Sequence, residues 1–341
     1  MVAVTLFCVG AGWIGMKLAE AERQRSAVEK LSKLGVSILY EYQFKDMENP
    51  WRGQLDKSAS PRGPEWLRNR LGVDFFNHAI DVNIDGVDTH GFDEDAFRTV
   101  FDLSYLRTLT IDDLLIEGAI AEKNFSLFAR LPNLESIVLH SVNIGDEGLR
   151  QVCLCTRLKS LEVGSTTKLS SKGLAQISRL NRLEYLSLRG QPLDDDALQS
   201  FRCCAGLKYL DLTATKVTDS SMDVVGGFVQ LETLWLVGTQ LTDVGLERLS
   251  KLHNITMLHL WNTRITDAGL ASLRQMRQLK SVSLSNNHQI TDAGMKSLEE
   301  ELPALEWIDL HGTQITAAGY KRFVSRRPKV KVDVDKWVNG S

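Results

Sequence analysis

An α/β solenoid, with a parallel sheet on its concave face and helices on its convex face, is predicted by three observations. The pattern L-x-x-L-x-L recurs from residue 134 onward. Its starting residues are Leu134, Leu158, Leu183, Leu207, Leu231, Ile255, Leu279 and Leu305, so the steps are 24, 25, 24, 24, 24, 24 and 26 residues. A helix-start signal follows each of the best recurrences. A chain that repeats one short apolar motif at a fixed period is stacking small units that cannot bury their own apolar faces alone.

Within a unit, alternating apolar residues such as Leu258 and Leu260 suit a short parallel strand whose side chains point to opposite faces. Thr263-Arg264-Ile265-Thr266-Asp267-Ala268-Gly269-Leu270 follows, and it returns as His288-Gln289-Ile290-Thr291-Asp292-Ala293-Gly294-Met295, 25 residues later. Thr266 and Asp267 are expected to accept hydrogen bonds from the free N–H groups of a following helix and to oppose its dipole. Apolar residues at every third position, Leu270, Leu273, Met276 and Leu279, then fold that helix back over the strand.

These motifs resemble the leucine-rich repeat superfamily, and the Ile-Thr-Asp-x-Gly-Leu segment most resembles its cysteine-containing subtype, found in F-box-type substrate receptors and many bacterial proteins. Eight clear units span 134 to about 329, and two looser ones precede them around Val82/Ile84 and Leu106/Leu109/Ile111. The position that is often Cys or Asn in such families is Thr here, at Thr215, Thr239, Thr263 and Thr313. Val330 to Val334 alternates as a final edge strand whose charges discourage further pairing.

The organisation expected is an apolar helix over 1–19, a cap over 20–78, repeats over 79–329, and an edge strand with tail over 330–341. Val2 to Met16 is uncharged and apolar, which reads as a single membrane-anchoring span, with a soluble cap helix as the alternative. The same run contains Gly10-x-Gly12-x-x-Gly15 after "VAVTLF", a spacing shared with dinucleotide-binding turns, although the nearest acidic residue on a following strand, Glu41, lies too far away. From "AERQRSAVEKLSKLG" to "GPEWLRNRLGVDFF" the chain also resembles planctomycete membrane-anchored repeat proteins. That resemblance implies a membrane helix immediately before, on a side that the flanking Lys and Arg do not settle. Pro64-Glu65-Trp66-Leu67 reads as a helix start.

Function is expected on the concave columns formed by the x positions. The third runs Ser136, Ser160, Tyr185, Tyr209, Thr233, Met257, Ser281, Trp307; the fifth runs Val138, Glu162, Ser187, Asp211, Trp235, His259, Ser283, Asp309; the seventh runs His140, Gly164, Arg189, Thr213, Val237, Trp261, Ser285, His311. Tyr, Trp and Arg dominate protein-binding hot spots, so Tyr185, Tyr209, Trp235, Met257, His259 and Trp261 form one candidate patch, extended by Arg189, Asp211, Trp307 and His311. The alternative is that the rings stabilise the sheet by cross-strand contact.

The expected function is non-enzymatic capture of an unidentified protein or peptide, with no cofactor and no nucleic acid. The net charge of −3 comes from 40 basic and 43 acidic residues, interspersed, which gives no field for nucleic acid. Asp309 beside His311, or His259 on the same face, would be the place for acid–base or metal chemistry. No nucleophile elbow, H-E-x-x-H or P-loop accompanies them. Five cysteines form no zinc-ligand pairs, and Cys155 and Cys204 occupy the apolar helix position that Leu252 and Met276 take elsewhere. The repeat subtype implies a further alternative, an adaptor of a ubiquitin-ligase-type complex, although no F-box is recognisable in 20–78. A structural envelope protein and a nucleotide-binding enzyme built on Gly10–Gly15 complete the alternatives.

Overall fold

The computed structural model describes residues 2–45, 55–56, 58–85, 92–112, 122–142, 144–164 and 169–335, with backbone alone at 2–11 and 122. The chain divides into two units, Met1–Ser160 and Leu161–Ser341.

In the first unit, α1 (Val2–Lys33) leads to β1 (Ser37–Tyr40), α2 (Glu65–Leu71), β2 (Ala79–Asp85), α3 (Glu94–Val100), β3 (Thr108–Asp112), β4 (Ser136–His140) and α4 (Gly145–Val152). The strands lie in the order β1-β2-β3-β4, with β1 antiparallel to β2 and the others parallel. Ala21, Gln24, Ala27 and Leu31, spaced by three or four residues on one stripe of α1, are buried, so the C-terminal half of this helix is the lid of the first coil. Gln24 fixes it in place. Its amide donates to Asp74 Oδ1 at 2.9 Å and to the Asn77 carbonyl at 2.8 Å, and its Oε1 accepts from Ala79 N at 3.1 Å. Pro64 precedes α2 as the residue outside its first turn.

The helical course of α1 overturns the dinucleotide reading of Gly10-x-Gly12-x-x-Gly15. A dinucleotide fingerprint needs a strand, a glycine turn and then a helix, whereas α1 runs unbroken through all three glycines and "VAVTLF" is helical. Helical backbone through the glycines leaves no exposed N-terminus for a pyrophosphate. Among the described residues no helix is long and apolar enough to cross a membrane. The expected span lies largely at 2–11, whose side chains are outside the described residues.

In the second unit, strands alternate with short helices: β5 (Ser160–Val163), α5 (Ser171–Leu174), β6 (Tyr185–Ser187), α6 (Asp195–Gln199), β7 (Tyr209–Asp211), α7 (Met222–Val225), β8 (Thr233–Trp235), α8 (Asp243–Arg248), β9 (Met257–His259), α9 (Asp267–Leu270), β10 (Ser281–Ser283), α10 (Asp292–Glu301), β11 (Trp307–Asp309), α11 (Ala317–Arg326) and β12 (Lys331–Asp333). Each strand lies beside the next in chain order. The parallel register is an unbroken column, Leu210↔Leu234↔Leu258↔Val282↔Ile308, so the leucine spine is shared from coil to coil. Leu258, Leu260, Leu284 and Leu310 are at most 1% exposed. Burying one such side chain contributes roughly 1.5–3 kcal/mol. After α9 the chain tightens into a 3-10 segment over Ala271–Gln275, where three residues per turn match the three-residue apolar spacing of Leu270, Leu273 and Met276. Cys155 and Cys204 are buried like Leu252 and Met276, and burial pushes the Cys155 thiol up to about 12.

The repeated Ile-Thr-Asp-x-Gly ties neighbouring coils together. Thr266 caps α9 by accepting from Ala268 N at 3.2 Å. Asp267, expected to cap the same helix, instead reaches the next coil, where its carboxylate accepts from Thr291 N at 2.8 Å and Thr291 Oγ1 at 2.6 Å. The same pair of bonds joins Asp195 to Thr218, Asp219 to Thr242, Asp243 to Thr266 and Asp292 to Thr316. At Gly245, Gly269, Gly294 and Gly319 a Cβ would overlap the Asp Oδ1 of the preceding coil, so glycine there makes room for the carboxylate. The motif is therefore a staple between coils as well as a helix cap.

Candidate binding face

Residues at the third, fifth and seventh positions stand on the sheet face turned away from the leucine spine, because successive strand side chains alternate between faces. Within the second unit the register sets the columns in line. Tyr185 pairs with Tyr209, then Thr233, Met257, Ser281 and Trp307; beside them run Ser187, Asp211, Trp235, His259, Ser283 and Asp309.

The strip from β6 to β9 brings eight of the ten candidates together. Tyr185 and Tyr209 stack with ring centroids 4.1 Å apart and planes 8° from parallel, and Trp235 stacks on His259 at 3.7 Å and 17°. These four rings are half-buried, so cross-strand stacking holds part of their surface. Met257 (37% exposed) and Trp261 (47% exposed) are the large apolar side chains of this face that stand open to solvent. Arg189 is exposed at the seventh position of the Tyr185 coil, and Asp211 is buried between Tyr209 and Trp235.

Electrostatically the Trp235–His259 end of the strip is neutral. Burial lowers the His259 pKa below the usual histidine value, against a smaller opposing pull from Asp309, which keeps the imidazole uncharged at neutral pH. Burial raises both tyrosine pKa values, with Glu162 adding to the effect at Tyr185 and Asp211 at Tyr209. Trp235 Nε1, His259 Nε2 and Thr213 Oγ1 are buried without a hydrogen-bond partner among the described residues. Rings placed this way offer flat apolar area with little side-chain freedom left to lose, the property that makes aromatic residues effective binding anchors.

Trp307 and His311 fall apart from that strip. Between β9 and β11 lies β10, whose outer residues Ser281 and Ser283, with Ser285 just beyond the strand, are small. Trp307 is engaged, its Nε1 donating to Asp333 Oδ2 at 2.8 Å. Asp309 accepts from His311 Nδ1 at 2.6 Å, from His311 N at 3.2 Å, from Ser283 Oγ at 3.2 Å and from Ser285 Oγ. The Asp309 bond holds the His311 pKa above its ordinary value. Burial alone would raise that of Asp309, but the bonds from Ser285 and His311 hold it below the ordinary value. Three serines at alternate positions, Ser281, Ser283 and Ser285, are a readable sequence signal that includes Ser283 and Ser285, the partners of Asp309; Asp333 carries none.

A family model for the leucine-rich repeat matches residues 253–315. Residues 253–315 are leucine-rich repeats, and the fold is that of a leucine-rich repeat solenoid. Among solved structures it is similar to an internalin, InlF, from Listeria monocytogenes, with 22% identity and a TM-score of 0.52, covering 70% of this chain and 69% of the internalin. It is also similar to a leucine-rich repeat protein of Leptospira interrogans, with 21% identity and a TM-score of 0.49 over 69% of this chain and 62% of that one. A third likeness, to internalin C2 of Listeria monocytogenes, has 22% identity and a TM-score of 0.46 over 64% of this chain and 85% of that one. No curated protein matches the chain. The likeness to InlF is one of fold.

Proposed function

We propose that this leucine-rich repeat protein is a non-enzymatic interaction module that captures a protein or peptide on the outer sheet face of β6 to β9. The observation that carries the reading is the exposure of Trp261 and Met257 beside the stacked Trp235–His259 pair, on strands held in register by a shared spine. Large apolar side chains left open at the middle of a rigid polar surface mark an association site. A rigid sheet has its ordering cost met on folding, so little further order is lost on binding. Trp235→Ala with Trp261→Ala tests it: a purified partner captured by crosslinking from membranes should be lost to the double variant while its circular dichroism matches the wild type. Retained capture would remove the strip from consideration. The adaptor reading has only the resemblance of the repeat motif behind it, and a purely structural role would show no saturable partner.

A second reading is favoured by one observation. Gly12, Trp13, Ile14, Gly15 and Met16 are all exposed and uncharged, immediately before Lys17, whose ammonium meets Glu20 at 2.9 Å and Tyr105 OH at 3.2 Å. We propose that the N-terminal part of α1 holds the protein at a membrane, since an exposed Trp, Ile and Met on one helix end suits an interfacial environment.

A further inference from the structure

Asp211 stands at the fifth position of β7, 5% exposed, with Tyr209 two residues before it and Trp235 in register on β8. Its carboxylate accepts one described hydrogen bond, from Thr213 N at 2.8 Å. Among the described residues no Lys, Arg or His lies within ion-pair distance of it. Asp309, in the same column, is surrounded by four donors. Beside Asp211, Thr213 is also 5% exposed, and its hydroxyl has no partner among the described residues. A buried carboxylate with spare lone pairs and no cation at ion-pair distance can accept a further charged donor. On the side toward the exposed strip, by contrast, the outer residues of β8 and β9 and the two coils' seventh positions are Thr233, Trp235, Val237, Met257, His259 and Trp261, with no formal charge among them at neutral pH.

We infer that the segment bound on this strip delivers a Lys or Arg side chain to Asp211 and an apolar or aromatic side chain to Met257 and Trp261. This rests on the reading that the strip is the binding face, and it specifies the chemistry of the partner. The cation would complete the coordination of Asp211 and lie against the rings of Tyr209 and Trp235, where its attraction to the aromatic faces adds to the ion pair. From β7 to β9 is two strand spacings, about 9.6 Å, which an extended chain covers in about three residues. The motif expected is therefore a basic residue followed or preceded, about three residues away, by an apolar one. An acidic segment would face Asp211 unpaired and is selected against.

The test is selection of a displayed library of random dodecapeptides on the full-length protein, followed by fluorescence anisotropy with the enriched peptides synthesised and labelled. Asp211→Asn keeps an acceptor for Thr213 N, and its fold is checked by circular dichroism. Enriched peptides should carry the basic and apolar pair at that spacing. Asp211→Asn, or replacement of the peptide's Arg by citrulline or Lys by norleucine, should each weaken binding by about tenfold or more, and the two together should cost little beyond either alone. Enriched peptides that need Trp235 and Trp261 but carry no basic residue, or bind Asp211→Asn equally well, would overturn the cation site and leave the face in place. Absence of any enriched peptide sensitive to Trp235→Ala with Trp261→Ala would overturn both.

Discussion

Asp243 accepts two hydrogen bonds from Thr266, one coil farther on: from the backbone N at 2.8 Å and from Oγ1 at 2.6 Å. The same Oδ1 occupies the space a Cβ on Gly269 would need. Three letters of the repeated motif thus serve one contact, and each requires the others. Asp243→Ala should lower stability by about 2–3 kcal/mol, because it removes two charge-assisted bonds. Gly269→Ala should cost about 1–3 kcal/mol by crowding the carboxylate. Combined, they should cost clearly less than the sum, since the truncated residue no longer fills the space. Urea unfolding of the single and double variants checks this, and strict additivity would contradict a shared contact.

The turn after each strand tests the backbone in the same way. Gly190, Gly238 and Gly312 take left-handed conformations with φ of 72°, 66° and 65°, and at the equivalent place Ala214 does so with φ of 55°. A Cβ there is strained by about 1 kcal/mol or more, partly offset in a glycine variant by the freer unfolded chain. Ala214→Gly should therefore stabilise the protein by about 0.5 kcal/mol net. A fall in melting temperature would show that the Ala214 methyl makes contacts that outweigh the strain.

Stability should vary with pH through Asp309 and His311. His311 has a raised folded-state pKa, so its contribution is full below the ordinary histidine value and fades as pH rises through the raised one. Asp309 has a lowered pKa, so its contribution holds above the ordinary carboxylate value and is lost as pH falls through the lowered one. The pair thus contributes most between the ordinary values of the two groups, from about pH 4 to about pH 6.5. His311→Gln should flatten the decline in stability above that window, as followed by denaturant titration across pH. An NMR titration placing the His311 midpoint at or below that of a free histidine would contradict the pairing.

Removal of Val2–Leu18 tests the membrane reading. Flotation with anionic and zwitterionic vesicles should carry the full-length protein with lipid and leave the truncated form in the dense fraction, with the repeat half still folded. Equal flotation of both forms, or of neither, would remove α1 as an anchor.

Much of the strand arrangement is legible from the apolar spacing alone. The columns read from L-x-x-L-x-L, such as Trp235 beside His259 and Met257 beside Ser281, match the register in space, because a shift by one residue would turn Leu258 and Leu260 to solvent. The dinucleotide reading of Gly10–Gly15 failed for a physical reason. Glycine spacing carries no information about whether the flanking residues are extended or helical, and these are helical. Asp267 was misread as a cap since the residue it contacts, Thr291, is near only after the coils stack. The candidate face was readable as a list of residues but not as a surface. Stacking of Tyr185 on Tyr209, the engagement of Trp307 by Asp333, and the openness of Met257 and Trp261 depend on side-chain orientations that spacing does not specify.

A photo-crosslinking amino acid placed at Met257, on the outer face of β9, and separately at Ala268, on the exposed side of α9, measures the central claim directly. Covalent adducts with the bound protein or peptide should form from position 257 and not from 268. Adducts from 268 alone, or from neither position when a saturable partner is present, would contradict binding on the sheet face.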